Sequence, residues 1–319
     1  MAINAKVVNY LRDFGILAVL VLLVAFFMVI SPDGFAQPGN LINVVRQASI
    51  NGIIAVGMMF VIISGGIDLS AGSTVALSGV VAALAAKASG LPLIAVVVVA
   101  LAAGAAVGLV NGVGVAYLGL PAFIITLATM TGVRGLALII SGGSPVFGLP
   151  PEFENIASSA VAVVVPILVV YFVTVMLGSG FVLTRTTFGR RVYAIGGNPE
   201  AATVSGIRTK RYLLGVYTLA GTLAGFAGLL VASRTMQGSP TAGQGYELDA
   251  IAAVVIGGIS MSGGAGKWYG AMIGALLIAV MSSGLDILGV NSNYQAIIKG
   301  AIIAVAVYFD LRSKKLITV

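Results

Sequence analysis

Few residues in this sequence can do chemistry, and their types limit what that chemistry is. The 319 residues include no histidine and no cysteine, and Asp and Glu together number 10. Thiol nucleophiles, imidazole bases, thiolate metal sites and disulfides are therefore absent together. What remains is carboxylates, hydroxyls and scattered cations, a poor set for an enzyme, and neither metal nor cofactor is expected. The most informative carboxylate is Asp68, within Gly65-Gly-Ile-Asp-Leu-Ser-Ala-Gly72. An aspartate at membrane depth costs about 3 kcal/mol on insertion scales, so it should face a cavity or a partner. Asp68 and Ser70 either cap the helix that follows or meet a polar solute. A broken helix end beside a cavity allows both.

A second acidic group closes the stretch 239–249, where Tyr246, Glu247 and Asp249 open a helix continuing Ala-Ile-Ala-Ala. Acids in a first turn are favoured by the helix dipole alone, and the alternative is a polar lining at an outer mouth. Arg134 and Lys299 lie well inside apolar segments and are expected to face the interior, bonded to backbone or to an acid. Gly263-Gly-Ala-Gly-Lys267 imitates a phosphate loop, but Met261 stands where its first glycine belongs and Trp268 replaces the Ser or Thr. The chain thus carries no recognisable ATP site.

The remaining concentration of polar residues is 184–211, with six basic side chains: Arg185, Arg190, Arg191, Arg208, Lys210 and Arg211. At its centre Asn198 can cap, Pro199 suits the first helical position and Glu200 complements the dipole. Ala201, Ala202 and Val204 give a small surface, Ser205 closes the helix and Gly206 can end it left-handed. Two turns need something to pack on. That is either the protein's own surface or a groove on a soluble partner, with Ala201 and Ala202 presenting the small face.

These groups sit in a chain that is 59% apolar and 8% charged, with 43 glycines and a mean hydropathy of +1.11. Such values describe a polytopic membrane protein whose helices pack closely through small residues. The net charge of +7 reflects basic residues at membrane edges, so nucleic acid is not an expected partner and the lipid bilayer is. Apolar segments occur at 14–30, 41–64, 70–87, 92–117, 121–141, 159–182, 212–234, 247–260, 266–289 and 293–310. Residues 1–40 are expected to hold an uncleaved first helix.

With the N-terminus inside, six spans bring the chain back to the cytoplasm at 184–211, and four more bring it back at Arg312, Lys314 and Lys315. Lys6 and Arg12 fit the same side, while 142–158 carries Glu152 and Glu154 but no Lys or Arg. Segment 65–72 is broken by glycines and 247–260 is short. Such segments in corresponding places of two halves mark transporters with inverted repeats. The expected fold is one all-α transmembrane domain over 1–319, with about ten transmembrane helices, a broken or short helix in each half and a probable inverted repeat.

Three stretches carry a resemblance: Ser64-Gly-Gly-Ile-Asp-Leu-Ser-Ala-Gly-Ser73, Ala194-Ile-Gly-Gly-Asn-Pro-Glu-Ala-Ala202 with Ser205-Gly-Ile207, and 240–258 from Pro-Thr-Ala-Gly-Gln to Ile-Gly-Gly. Together they resemble the permease subunits of bacterial ABC importers for monosaccharides, nearest to the ribose type, from about residue 40 to Asp310. The resemblance implies a homodimer in the bacterial inner membrane, a cytoplasmic ATP-binding subunit and a periplasmic sugar-binding protein. It also implies that the 198–206 helix docks into the ATPase. An ion-coupled secondary sugar transporter is the alternative, with Asp68 or Asp286 as the coupling carboxylate.

Overall fold

The computed structural model describes residues 5–88, 91–161 and 165–315. Helix α1 (Ala5–Ile30) passes through a single turn, α2 (Pro32–Phe35), into α3 (Pro38–Ile63). After a break come α4 (Ala71–Lys87), α5 (Leu93–Ala116) and α6 (Ala122–Ser141). A 3-10 turn (Pro151–Glu154), α7 (Asn155–Ser158) and strands β1 (Ala160–Val161) and β2 (Val165–Pro166) precede α8 (Ile167–Arg185). The chain continues through α9 (Thr187–Gly197), α10 (Pro199–Val204), α11 (Thr209–Thr235), α12 (Tyr246–Ile256), α13 (Trp268–Ile287) and α14 (Ser292–Lys315). The side chains of Lys6, Arg12, Arg312, Lys314 and Lys315 lie outside the described residues, as do residues 1–4 and 316–319.

Among the described residues, six helices are long and apolar enough to cross a membrane: α3, α5, α6, α8, α11 and α13. Gly15–Ile30 and α4 are apolar but shorter. This is a polytopic helical membrane protein. Its centre is α3, where every residue from Ala48 to Ser64 is buried. A helix apolar on all sides belongs in such a place.

Glycines set the closest packing. On α5, Gly104, Gly108 and Gly112 recur every fourth residue and so form one stripe, which faces α11. A Cβ on Gly104 would stand 2.3 Å from the Gly221 carbonyl oxygen, and one on Gly221 would stand 2.4 Å from that of Gly104. Backbones this near gain dispersion contacts that larger residues would prevent. The packing partners also correspond between halves: α3 meets α12 and α13 where α11 meets α4 and α5, and α4 meets α6 where α12 meets α14.

Two segments depart from expectation. The apolar segment 159–182 does not begin as a helix, since Ala160–Val161 pairs antiparallel with Val165–Pro166 and α8 starts only at Ile167. Pro166 lacks an N–H and biases the preceding residue towards extended backbone, which favours the strand pair. The basic segment 184–211 is more ordered than a loop around one short helix, because α9 fills 187–197. The Thr186 hydroxyl caps α9 by accepting from Gly189 N–H at 3.3 Å, and Val192 and Ile195 bury its apolar face.

Candidate functional site

The short helix α10 forms where its caps place it. The Asn198 side-chain oxygen accepts from Ala201 N–H at 2.9 Å, Pro199 stands at the first position and Glu200 in the first turn. At the other end Ile207 N–H donates to the Ala202 carbonyl at 3.0 Å, past Ser205 and across Gly206 at φ +81°. The two alanines do not share the outward face, however. Successive residues on a helix are about 100° apart, and Ala202 turns inward to 4% exposure while Ala201 is exposed. Val204, at 90% exposure, is the apolar residue that projects.

Where α10 is anchored, three segments converge on the end of α3. The Tyr193 hydroxyl of α9 donates to the Gly266 carbonyl at 2.9 Å, and Gly264 N–H donates to the Ile63 carbonyl at 2.9 Å. A Cβ on Gly196 would stand 1.8 Å from the Ile63 oxygen and 2.6 Å from the Gly264 nitrogen. A Cβ on Gly264 would come within 2.5 Å of Gly197 Cα, and one on Gly263 within 2.9 Å of Gly65 Cα. The contacts are backbone on backbone. The break after α3, the turn between α12 and α13 and the root of α10 are thereby joined. The imitation phosphate loop is part of this joint, with its Gly264 amide already committed to Ile63.

Glycine also opens the break. Gly65 at φ +87° ends α3, with Gly66 N–H donating back to Val61. Asp68 then closes a turn ahead of α4: its Oδ1 accepts from Ser70 N–H at 2.8 Å and from the Ser70 hydroxyl at 2.6 Å. Asn111 of α5 donates to that hydroxyl at 2.7 Å. Asp68, Ser70 and Asn111 are all buried, so this carboxylate ties the break after α3 to α5, and neither Asp68 nor Ser70 gives α4 the side-chain cap expected of them.

At the opposite end of the bundle, Tyr246 lines a cavity of about 240 Å³ with Thr235, Gln237, Ser239 and Thr241. Glu247 reaches the start of α4, where a Cβ on Gly72 would stand 2.1 Å from its Oε2. That buried oxygen has no hydrogen-bond partner among the described residues. Asp249 pairs with Lys299 of α14, Nζ to Oδ1 at 2.9 Å. Arg134 donates to the Pro240 and Ala242 carbonyls, each at 2.8 Å, fixing the segment before α12. Both interior cations thus have the partner types expected of them.

Sequence reasoning missed Arg46 of α3 and Arg234 of α11, which lie near each other, with Tyr246 beside Arg234. The signal was their position, away from the basic clusters that mark membrane edges. Tyr246, Glu247 and Asp249 share the start of α12, with Arg234 near Tyr246, Arg134 near Glu247 and Lys299 paired with Asp249. Asp68 and Ser70 belong to a separate network. Among the described residues no group of three His, Cys, Asp or Glu side chains is arranged to hold a metal ion.

Comparison with known proteins agrees with the motifs. Residues 40–307 match the family model described as branched-chain amino acid transport system / permease component. The ribose import permease protein of Bacillus subtilis is 41% identical over 292 residues, covering 91% of this chain and 90% of its own. That of Escherichia coli K12 is 43% identical over 299 residues, covering 92% of each. The xylose transport system permease protein of Escherichia coli K12 is 36% identical over 365 aligned residues, covering 96% of this chain and 93% of its own. No solved structure matches the chain.

Proposed function

We propose that this chain, which belongs to the family described as branched-chain amino acid transport system / permease component, is the membrane-spanning component of an ABC importer that carries a ribose-like monosaccharide into the cytoplasm. The observation that carries the reading is identity of 41–43% to ribose import permeases over nine-tenths of the chain. The broad family description names an amino acid system. The full-length relatives named for ribose and xylose bear more directly on the substrate. The outer cavity suits a polyol, with hydroxyl, amide and phenol groups in its wall.

In this reading the chain is a single domain of ten spans in the bacterial inner membrane, built as an inverted repeat and working as a homodimer. The corresponding packing of α3 with α12 and α13, and of α11 with α4 and α5, supports the repeat. Sugar arrives from a periplasmic binding protein and crosses past Tyr246, Glu247 and Asp249. ATP is hydrolysed in a separate cytoplasmic subunit, whose groove receives Val204, Ala201 and the exposed Glu200 of α10. Through the glycine joint, a displacement of α10 reaches the break after α3 and the turn after α12 at once.

Reconstitution tests this. Proteoliposomes holding this chain and its ATPase, supplied with the sugar-binding protein, are expected to accumulate labelled ribose with internal or external ATP at the ATPase face and not with an ion gradient alone. Gradient-driven uptake by the chain without the ATPase would replace the proposal with a secondary transporter. The two carboxylates such a transporter would use are hydrogen-bonded within the protein, Asp68 to Ser70 and Asp286 to Gln295 Nε2 at 2.6 Å.

A further inference from the structure

Away from the transport path, a cleft opens between α9, the turn after α10 and the first turn of α11. It encloses about 460 Å³ and is lined by Phe188, Arg191, Gly206, Arg208, Arg211 and Tyr212. The Arg191 guanidinium lies over the Tyr212 ring, 5.3 Å from its centroid, and donates to the Tyr212 hydroxyl. Phe188 packs on the same ring, with centroids 5.6 Å apart. One cation and two aromatic rings are therefore held in place before anything binds. Arg208 and Arg211 are exposed, and among the described residues no carboxylate forms an ion pair with any of the three arginines.

Three guanidinium groups around one cleft repel one another unless an anion sits between them. Arginine's planar fork matches phosphate oxygens two at a time, and gives more than a point charge would. Aromatic rings beside arginines belong to the level where acyl chains give way to headgroups. We propose that this cleft binds a phosphate group, supplied by an anionic phospholipid headgroup or as free phosphate. Arg191, Arg208 and Arg211 hold its oxygens, and Phe188 and Tyr212 pack beside the group that carries it. The site rests on the cytoplasmic placement of 184–211, but a test in detergent does not depend on sidedness.

The full-length chain is purified in neutral detergent with equal phosphatidylglycerol and phosphatidylcholine, and lipid retained per chain is measured by mass spectrometry. The variant R191Q/R208Q/R211Q is expected to retain phosphatidylglycerol about tenfold less or lower still, with phosphatidylcholine unchanged. The control R185Q/R190Q/K210Q removes the same charge outside the cleft and is expected to retain phosphatidylglycerol as the unaltered chain does. Displacement of phosphatidylglycerol by inorganic phosphate, but not by chloride at equal ionic strength, upholds the site for phosphate from either source. Retention against inorganic phosphate upholds it for the lipid alone. Equal loss in both triple variants, or no loss in the first, overturns the proposal. So does loss of the ATPase from the first variant with phosphatidylglycerol unchanged, which would make the cleft a protein contact.

Discussion

Gly196 faces the carbonyl of Ile63 so closely that a methyl group at position 196 would stand 1.8 Å from that oxygen. A methyl group on its neighbour Gly197 would have nothing within 4 Å. Two adjacent glycines therefore offer a matched experiment on the joint beneath α10. Gly196→Ala forces the backbones apart at a cost of about 1–3 kcal/mol. It is expected to reduce ATP-driven uptake severely while the ATPase still co-purifies. Gly197→Ala should transport at near-normal rates. Equal uptake by the two variants would remove the joint from the coupling route.

The exposed face of α10 gives a second prediction. Positions 201 and 204 are three apart and lie on one side of the helix. Ala201→Arg with Val204→Arg places two long cations where a groove must close, and the desolvation this demands weakens docking. Helix propensity changes by a few tenths of a kcal/mol at most for alanine to arginine, so α10 itself survives. Co-purification of the ATPase in detergent is expected to fall about tenfold or more, since 1.4 kcal/mol is tenfold in affinity. Undiminished recovery would leave α10 as a surface helix.

Asp68 is expected to tolerate one substitution and not another. Its Oδ1 takes the bonds from Ser70, and an asparagine oxygen accepts in the same kind of turn. Asp68→Asn should therefore keep most uptake, whereas Asp68→Ala removes the acceptor of buried donors at a cost of about 1–3 kcal/mol and leaves the Ser70 hydroxyl and Asn111 to rearrange. A failed Asp68→Asn variant that still inserts would show that the charge itself matters to transport.

The Asp249–Lys299 pair is largely buried, at 10% and 20% side-chain exposure. Lys299→Met strands a buried carboxylate and is expected to lower stability in detergent by about 3–5 kcal/mol. Replacing both residues, with Asp249→Leu added, should recover most of that loss. Thermal unfolding of the two variants reads the difference. A double variant as unstable as the single would mean that the pair itself holds α14 to α12.

Local chemistry made some of this legible. Asn198, Pro199 and Gly206 each act within their own turn, so the limits of α10 can be read from residue types alone. The glycines and acid of 65–72 announced a break for the same reason. Inside a span, a lone Arg134 or Lys299 can be satisfied in few ways, which is why their partner types could be anticipated.

Less accessible were features that depend on distant neighbours. Nothing near Gly196 in sequence indicates that Ile63 and Gly264 will lie against it. Ala202 turns inward because α10 is anchored by α9, a helix whose cap at Thr186 and apolar stripe at 188, 192 and 195 were present in the sequence but hidden among arginines. The strand pair before α8 was masked by its own hydrophobicity, which suits a span as well as a short hairpin. Arg46 and Arg234 acquire meaning only when α3 and α11 are placed side by side.

The glycine seam between α5 and α11 has a consequence for how the molecule can move. Helix α5 lies in the first half of the chain and α11 in the second, yet their backbones interlock at Gly104, Gly108, Gly221 and Gly225. Sliding along such a seam would drive carbonyl oxygens into Cα atoms, so the two helices behave as one solid piece. The halves cannot part along that line. The same close approach ties α4 to this beam, where Gly228 meets the Val75 carbonyl, and α12 to α13, where Gly274 meets the Ala253 carbonyl, so any opening and closing is confined to what these seams leave free.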